Sequence, residues 1–460
     1  MTSESKAEIV AAVDEAKKQF AATGAQGLRA SRDEFVAAVA QLDRYLQGPN
    51  GSGWRTFLGW PQLERQVDLA AEPNPAALAA VHARLHSAYP GLELKPFVDL
   101  RRALDAYLGC IEWMNVNEAT YREHLETIAA AVQNPAPPQL RKLADSAAEL
   151  QRGGRAPKVL SLLRKRLSFS NITFHASDRF VWTGVSRPID ETAPLNDFIL
   201  GTRIRGTGRT IGYAEAHLVP DPNRALIATN IRAMNHAQTV GQNGPALIYS
   251  VGDSELAARK LLVATPDGLS ALPAEVEVHT NSRITGFGST KQGVVDRLVK
   301  KIAAKRAPAE AARGTRLAED HARRIFRTKV DEQAEPMLAR ANERFLRKIR
   351  NPLMRVDAYP QSMHFSTTTD YLNVVGLQTG DAELGAPTPV PDAQRPADVL
   401  VRMHESLVNN TAENLLSGRL LDQPAIDRFS LELFGAVPEP PEGESREPWS
   451  IAFAPVRPLT

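Results

Sequence analysis

Apolar positions in the first 150 residues recur with a helical period. Phe35, Val39, Leu42 and Leu46 are spaced by four, three and four, which places them on one helical face. Leu78, Val81 and Leu85, then Phe97, Leu100, Leu104, Tyr107 and Ile111, repeat the pattern. Gly and Pro interrupt it at 48–53, 73–75, 90–91 and 135–138. Residues 1–150 are therefore expected to form a helical domain. Trp54, Phe57, Leu58 and Trp60 lie between the first two breaks. They read more simply as core anchors than as a ligand-stacking platform, because Trp is highly buried on average.

Residues 151–157, Gln-Arg-Gly-Gly-Arg-Ala-Pro, read as a linker. The period then changes, and 158–290 is expected to be an antiparallel β domain. Residues 167–285 alternate, with turn signals at 220–223, 242–244, 252–253 and 266–268. That spacing suits a meander of fairly long strands. Tyr213–Val219 alternates as a sheet wet on one face should.

The helical period returns over 291–350, where Phe326, Val330, Met337, Ala341, Phe345 and Ile349 form one stripe. Pro336 is expected to kink this helix without ending it. Pro308 and Gly314 are expected to separate it from an earlier helix around Val294, Leu298 and Ile302. Residues 351–460 mix both periods. Ser362–Val375 reads as a hairpin, Pro387–Pro396 as a loop, and Leu400–Leu421 as a helix with Gly418 near its end. Pro448–Pro458 reads as an extended tail that either continues in a longer chain or pairs with another strand. The predicted fold class is α+β: a helical domain followed by a long-stranded antiparallel β body packed on or around helices.

An internal echo suggests two related β-plus-helix units. His175-Ala-Ser177 leads into Phe180-Val181-Trp182 and then Val185-Ser186-Arg187. His404-Glu-Ser406 leads into Leu407-Val408 and then Leu416-Ser417-Gly418-Arg419. If such units flank an apolar groove, its candidate lining is Phe180, Trp182, Val185, Leu407, Val408 and Leu416.

Composition changes this picture little. The chain has 460 residues, with 43% hydrophobic, 23% charged and a net charge of +2. Its length makes about three domains the prior, and its bulk charge does not mark a polyanion binder. The single Cys110 cannot form an internal disulfide, and it falls in the apolar pattern of Leu104, Tyr107, Leu108 and Ile111. It is expected to be a buried small hydrophobe. No stretch approaches the ~20 apolar residues of a membrane span. The first residues lack a signal-peptide core. The protein is expected in the cytoplasm if Met1 is the natural start, and location is open to the envelope or export if it is not.

Charge does vary locally. Residues 291–350 carry 17 Lys and Arg against 8 Asp and Glu. Lys300, Lys301, Arg323, Arg324 and Arg327 are the cations a polyanion would meet. No aromatic interleaving or nucleic-acid motif accompanies them. A solvated face docked on residues 381–447, with 13 acidic residues against 5 Arg, is the simpler expectation. Nucleic acid is not an expected partner.

Standard chemistry signatures are missing. Gly201–Gly212 lacks the Gly-Lys-Ser/Thr end of a phosphate loop, and reads as a strand whose glycines permit bends or close backbone approach. Gly286-Phe-Gly288-Ser-Thr-Lys291 reads as a strand-to-helix turn, although an anion at the helix start is an alternative. The ten histidines read as scattered, without a His-x-x-x-His or His-Glu-x-x-His pair, so no metal site is expected. There is no serine elbow and no dinucleotide fingerprint. Asn171-Ile-Thr173 and Asn409-Asn-Thr411 are chance-level glycosylation matches. No catalytic residue and no cofactor is nominated.

Gly201–Gly212, Val240–Ser250 and His404–Asn410 resemble segments of an uncharacterised family of large bacterial proteins from planctomycete-type genomes. The likeness extends over most of the chain, including Trp54–Trp60, and implies no activity or site. The strand and helix pattern is also similar to the tubular lipid-binding superfamily, whose members wrap a curved antiparallel sheet around a long helix. There, short helices like Ser406–Asn410 line an apolar channel; the helical front has no counterpart. The resulting functional expectation is non-catalytic binding of a lipid or other apolar ligand, at the cell envelope in one version. The alternatives are a protein scaffold acting through residues 1–150 and a polyanion binder acting through 291–350.

Overall fold

The computed structural model describes residues 2–67, 72–87, 89–380, 383–391, 397–416, 420–434, 436–437 and 449–453. Side chains at 294–295, 306–313, 420, 429 and 432–434 are outside that description. Gly418, the end of the 387–396 loop and most of the 448–458 tail also lie outside the described residues.

The helical region is α1 (Ser3–Ala16), α2 (Phe20–Tyr45), α3 (Gly51–Leu58), α4 (Trp60–Val67), α5 (Pro75–Leu85), α6 (Lys95–Glu112), α7 (Glu118–Gln133), α8 (Pro137–Arg152) and α9 (Pro157–Leu167). Its starts are capped locally. Asn74 accepts from the Ala77 amide and Asn117 from the Thr120 amide, and Pro opens α5 and α8 where a missing N–H costs nothing. Two cores result. Phe35, Leu42, Leu58, Trp60, Leu78, Leu85, Phe97 and Leu104 join α2 through α6. Ile9, Val13, Tyr121, Leu125, Leu143, Leu150 and Leu163 join α1 with α7, α8 and α9. Both tryptophans act as anchors: Trp60 is buried, and Trp54 packs 4.5 Å from Phe97. Cys110 is buried as expected, and burial pushes its thiol above the usual range.

The expected linker at 151–157 is instead a packed turn inside this region. Gly153 and Gly154 pass so close to Trp113 and Cys110 that a Cβ would meet them at 2.3 and 2.8 Å. Helix α9 belongs to the helical core, so the change to β structure comes after Leu167 and not at 150.

The β body opens with β1 (Ile172–Ser177) and α10 (Asp178–Val185). There follow β2 (Arg187–Ile199), β3 (Thr202–Val219), β4 (Ala225–Asn243), β5 (Ala246–Thr265), β6 (Gly268–Ala271) and β7 (Glu275–Ser289). They form a long antiparallel sheet in the order β2-β3-β4-β5, with β6 and β7 sharing the far edge of β5. Leu200 and Gly201 both take positive φ at the β2–β3 turn, as do Gly244 at the β4–β5 turn and Gly268 at the β5–β6 turn. The expected turn at Gly252–Asp253 is absent; β5 runs through it, because both residues pair with β4 and β7.

Helix α11 (Val294–Phe345) is continuous for 52 residues, about 78 Å at 1.5 Å per residue. It runs through Gly314 and Pro336, so the expected separation at Pro308 and Gly314 does not occur. It lies on one face of the long sheet and touches both edges. Lys329 pairs with Glu191 of β2 at 2.7 Å, and Glu319 accepts from the Thr280 amide of β7 at 2.9 Å. Phe326, Val330 and Ala322 pack on Ile231, Leu256, Ala258, Val276 and Val278. Met337 and Ile349, expected in the buried stripe, are 51% and 49% exposed, and Ile349 lies beyond the end of α11.

A π turn (Leu346–Arg350) leads into α12 (Asn351–Arg355). Then come β8 (Ser362–Thr367), β9 (Tyr371–Leu377), β10 (Val399–Met403), α13 (Glu405–Leu416), β11 (Leu420–Asp422), α14 (Gln423–Phe434) and β12 (Ser450–Ala452). The expected hairpin is β8–β9. The expected helix at 400–421 is corrected: its first residues, Leu400–Met403, belong to β10. A small sheet has the order β10-β1-β9-β8, so strands from both expected β spans build it together. The two echoing segments, β1 with α10 and β10 with α13, meet in it as antiparallel neighbours. The fold is α+β, with helices first and antiparallel sheets after.

Candidate functional site

The inner face of the long sheet is the first place to look for an apolar channel. Cross-strand register places Glu191, Thr210, Asn235, Ser254 and Thr280 on one row across it. Asn235 donates to Thr210 at 2.9 Å, and the Ser254 and Thr280 hydroxyls are 3.0 Å apart. With Lys329 on Glu191 and Glu319 on the Thr280 amide, this polar row is tied to α11 at both ends. Beyond it, the next row is Ala193, Gly208, Ala237, Gly252 and Ser282. On the other side of the polar row, Ile189, Gly212, Ala233, Leu256 and Val278 form an apolar row, and α11 covers it at Leu256 and Val278.

The small sheet is different. Its register builds three rows on one face: Val399-Ala176-Leu372-Thr367, Val401-Phe174-Val374-Phe365, and Met403-Ile172-Gly376-Met363. Nearly all of these are apolar. The first row is covered except at β10, where Val399 is exposed. Val181 and Val185 of α10 pack there with Leu372, Ala216 and Leu218, and Thr367 donates to the Val219 carbonyl. The other two rows are half-buried at β1, β9 and β8 and open at β10, where Val401 and Met403 are 48% and 62% exposed. The opposite face is mixed: Leu400 and Val375 lie among His175, which bonds Asn373 at 2.7 Å, and Thr173, His364, Ser366 and Arg402. The more apolar face of a sheet normally turns inward; here its β10 edge faces out.

The six candidate groove residues do not converge. Phe180, Trp182 and Val185 follow the end of β1, where the Ser177 amide donates to the Asp398 carbonyl. Leu407, Val408 and Leu416 follow β10, beyond the point where the His404 amide donates to the Asn171 carbonyl at the start of β1. The two triplets therefore sit at opposite ends of the small sheet, about 20 Å apart at 3.3 Å per residue. Val185 borders the covered row, while Phe180, Trp182 and Val408 are exposed. The residues between these ends, Phe174, Val374 and Phe365, are the ones sequence reasoning missed. Their alternation was readable; that β1 would pair with strands some 200 and 230 residues later was not.

The five candidate cations divide as well. Lys300 and Lys301 lie about 35–40 Å along α11 from Arg323, Arg324 and Arg327. Lys300 pairs with Asp296 and Arg323 with Asp320 on the same helix. More than half of the acidic side chains of the expected partner at 381–447 lie outside the described residues. Among the described residues, the ion pairs α11 makes with other elements run to Glu191, Asp197 and Lys260 of the long sheet.

A second depression lies on the outer face of the long sheet, opposite α11. It is an open groove of about 490 Å³ lined by Ile211, Arg232, Met234, Glu255, Glu277 and His279. Its mixed charges suit no single ligand class.

The expectation of scattered histidines is wrong at one place. His82-Ala-Arg-Leu-His86 is a His-x-x-x-His pair at the C-terminal end of α5, with His86 as the capping residue, and Asp105 of α6 meets both rings. His82 Nε2 is 2.5 Å and His86 Nε2 3.0 Å from Asp105 Oδ1. Burial holds the His86 imidazole below its usual range despite the carboxylate. Burial would raise Asp105, but the two imidazoles outweigh it and hold the carboxyl well below the usual range. Neither a family model nor a curated protein sequence matches the chain.

Proposed function

We propose that this is a non-catalytic binding protein for an apolar ligand, a lipid in the first instance, taken up on the apolar face of the small sheet. The observation that carries this reading is the pair of rows ending at Val401 and Met403, which leave Phe174, Val374, Phe365 and Ile172 only half-buried. Contiguous exposed apolar surface of this kind marks binding sites more often than structural surface. The long sheet and α11 then serve as the rigid support of that face, and the polar row across their interface supports a scaffold role over a channel role.

The test uses the whole protein. Native mass spectrometry of the purified chain and co-sedimentation with vesicles of phosphatidylcholine and phosphatidylglycerol read lipid uptake directly. Retained lipid, or vesicle binding that Val401→Asp abolishes, supports the reading. Absence of both from the folded wild type, or binding that survives Val401→Asp undiminished, overturns it.

A further inference from the structure

We infer that His82, His86 and Asp105 form a divalent transition-metal site of the zinc type at the rim of the α5–α6 interface. The site follows from how the two helices bury their neighbours. On α5, Leu78, Val81 and Leu85 enter the core. The residues that follow the last two, His82 and His86, come out one helical turn apart on the adjoining strip. On α6, Leu104 enters the same core and Asp105 follows it. The two rims meet, and the imidazole centroids stand 4.1 Å apart with their planes inclined by 31°.

The donor geometry is close to what a tetrahedral ion needs. Metal–donor lengths of about 2.0–2.1 Å place tetrahedral donors about 3.3–3.5 Å from one another. His86 Nε2 already lies 3.0 and 3.2 Å from the two Asp105 oxygens. The His82 contact, at 2.5 Å, must lengthen by about 1 Å, which a small turn of the Asp105 side chain supplies. All three donor atoms fall within 4.8 Å of one another. Two imidazoles and one carboxylate suit zinc, cobalt or nickel better than calcium or magnesium.

His86 is buried, whereas the His82 and Asp105 side chains are 34% and 37% exposed. That leaves the solvent side of the ion for water or another ligand. Arg101, one turn before Asp105, is a positive charge close to the site. Its guanidinium is engaged by the carbonyls of Leu85, Met354 and Arg355 and lies 3.7 Å from Asp357.

The experiment is metal titration of the chelator-treated full chain by calorimetry, with Co2+ as a spectroscopic substitute. The expected result is one Zn2+ per chain and visible absorption bands of four-coordinate cobalt. His82→Ala, at a partly exposed position that folding tolerates, and Asp105→Asn should each weaken binding by roughly tenfold or more. If Asp105→Asn fails to fold, His82→Ala and the wild-type cobalt spectrum still decide. No uptake of zinc by the folded wild type overturns the inference. So does uptake that both substitutions leave unchanged, which would place the ion on other histidines.

Discussion

The guanidinium of Arg101 donates to the backbone carbonyl of Arg355 at 2.6 Å, across 254 positions of chain. It donates to the Met354 carbonyl at 2.9 Å as well. These are closing carbonyls of α12, which have no partner inside the helix. Two further pairs flank the contact: Arg102 with Asp357 at 2.8 Å and Arg355 with Glu93 at 2.9 Å. Arg101 is almost fully buried, so this polar clamp joins the helical region to the end of the α11–α12 arm in a setting shielded from water.

Removing that side chain takes the donor from the Arg355 and Leu85 carbonyls, while the Met354 carbonyl keeps the Asp357 amide. Arg101→Ala is expected to lower unfolding free energy by about 3–5 kcal/mol, the range for breaking a buried ion pair from one side. Arg101→Lys should recover only part of it, because an ammonium cannot span the same carbonyls with a planar fork. Urea denaturation followed by circular dichroism measures both. A loss under about 1 kcal/mol for Arg101→Ala would mean that the clamp contributes little.

Acid should weaken the same joint and the α11 contact together. Burial raises the Glu93 carboxyl, but Arg355 and the backbone amides outweigh it and hold it below its usual value. Asp331 is held low in the same way by Lys260 and the Ala274 amide, against its own desolvation. A carboxyl depressed in the folded state contributes stability above its unfolded pKa, about 4. That contribution is lost as pH falls through the lower folded value. Thermal melts should therefore fall below about pH 4, and Glu93→Gln should flatten the fall. A Glu93→Gln profile parallel to the wild type would exclude Glu93 as a contributor.

Two glycines of β3 are expected to resist any side chain. A Cβ on Gly206 would sit 2.0 Å from the Gln238 carbonyl oxygen, and one on Gly212 would sit 2.3 Å from that of Arg232. Both clashes are with backbone of the neighbouring strand. Gly206→Ala and Gly212→Ala should each cost about 1–3 kcal/mol, as overpacking does. Gly184, with nothing within 4 Å of its Cβ position, is the control and should tolerate Ala. Equal melting temperatures for all three variants would contradict the close strand approach.

What could be read from the chain follows from what periodicity encodes. The apolar steps of four and three at Phe35–Leu46 report a buried helical face, and the alternation around Tyr213 reports a sheet face. Gly244 and Gly268 announce turns because they must take positive φ. Periodicity does not name partners. Nothing local to Phe174 says that Val401 and Val374 will flank it. The His82–His86 spacing was open to reading, but Asp105 joins them only through packing of α5 on α6. Arg101 was hidden for the opposite reason: an Arg in an amphipathic helix normally lies outside, and only a remote helix end makes burying it favourable. Gly252–Asp253 misleads because the same dipeptide serves a turn or a strand crossed by close neighbours.

Gly314 tests the long helix most sharply. Gly and Pro in this stretch suggest a break, yet α11 continues from Val294 to Phe345. Gly314 has no positive φ, and a Cβ there would meet nothing within 4 Å. An interior helical glycine with free space loses backbone entropy on folding and gains no packing in return. Replacing it with alanine is expected to stabilise by about 0.5–1 kcal/mol. Part of the gain comes from restricting the unfolded chain, so it should appear in urea denaturation even if no new contact forms. If the helix were instead broken at Gly314, with the glycine serving as the terminus of an earlier helix, alanine would be forced into a left-handed conformation. Gly314→Ala would then be destabilising. The sign of that single substitution therefore distinguishes one continuous helix, spanning both edges of the long sheet, from two shorter helices meeting on it.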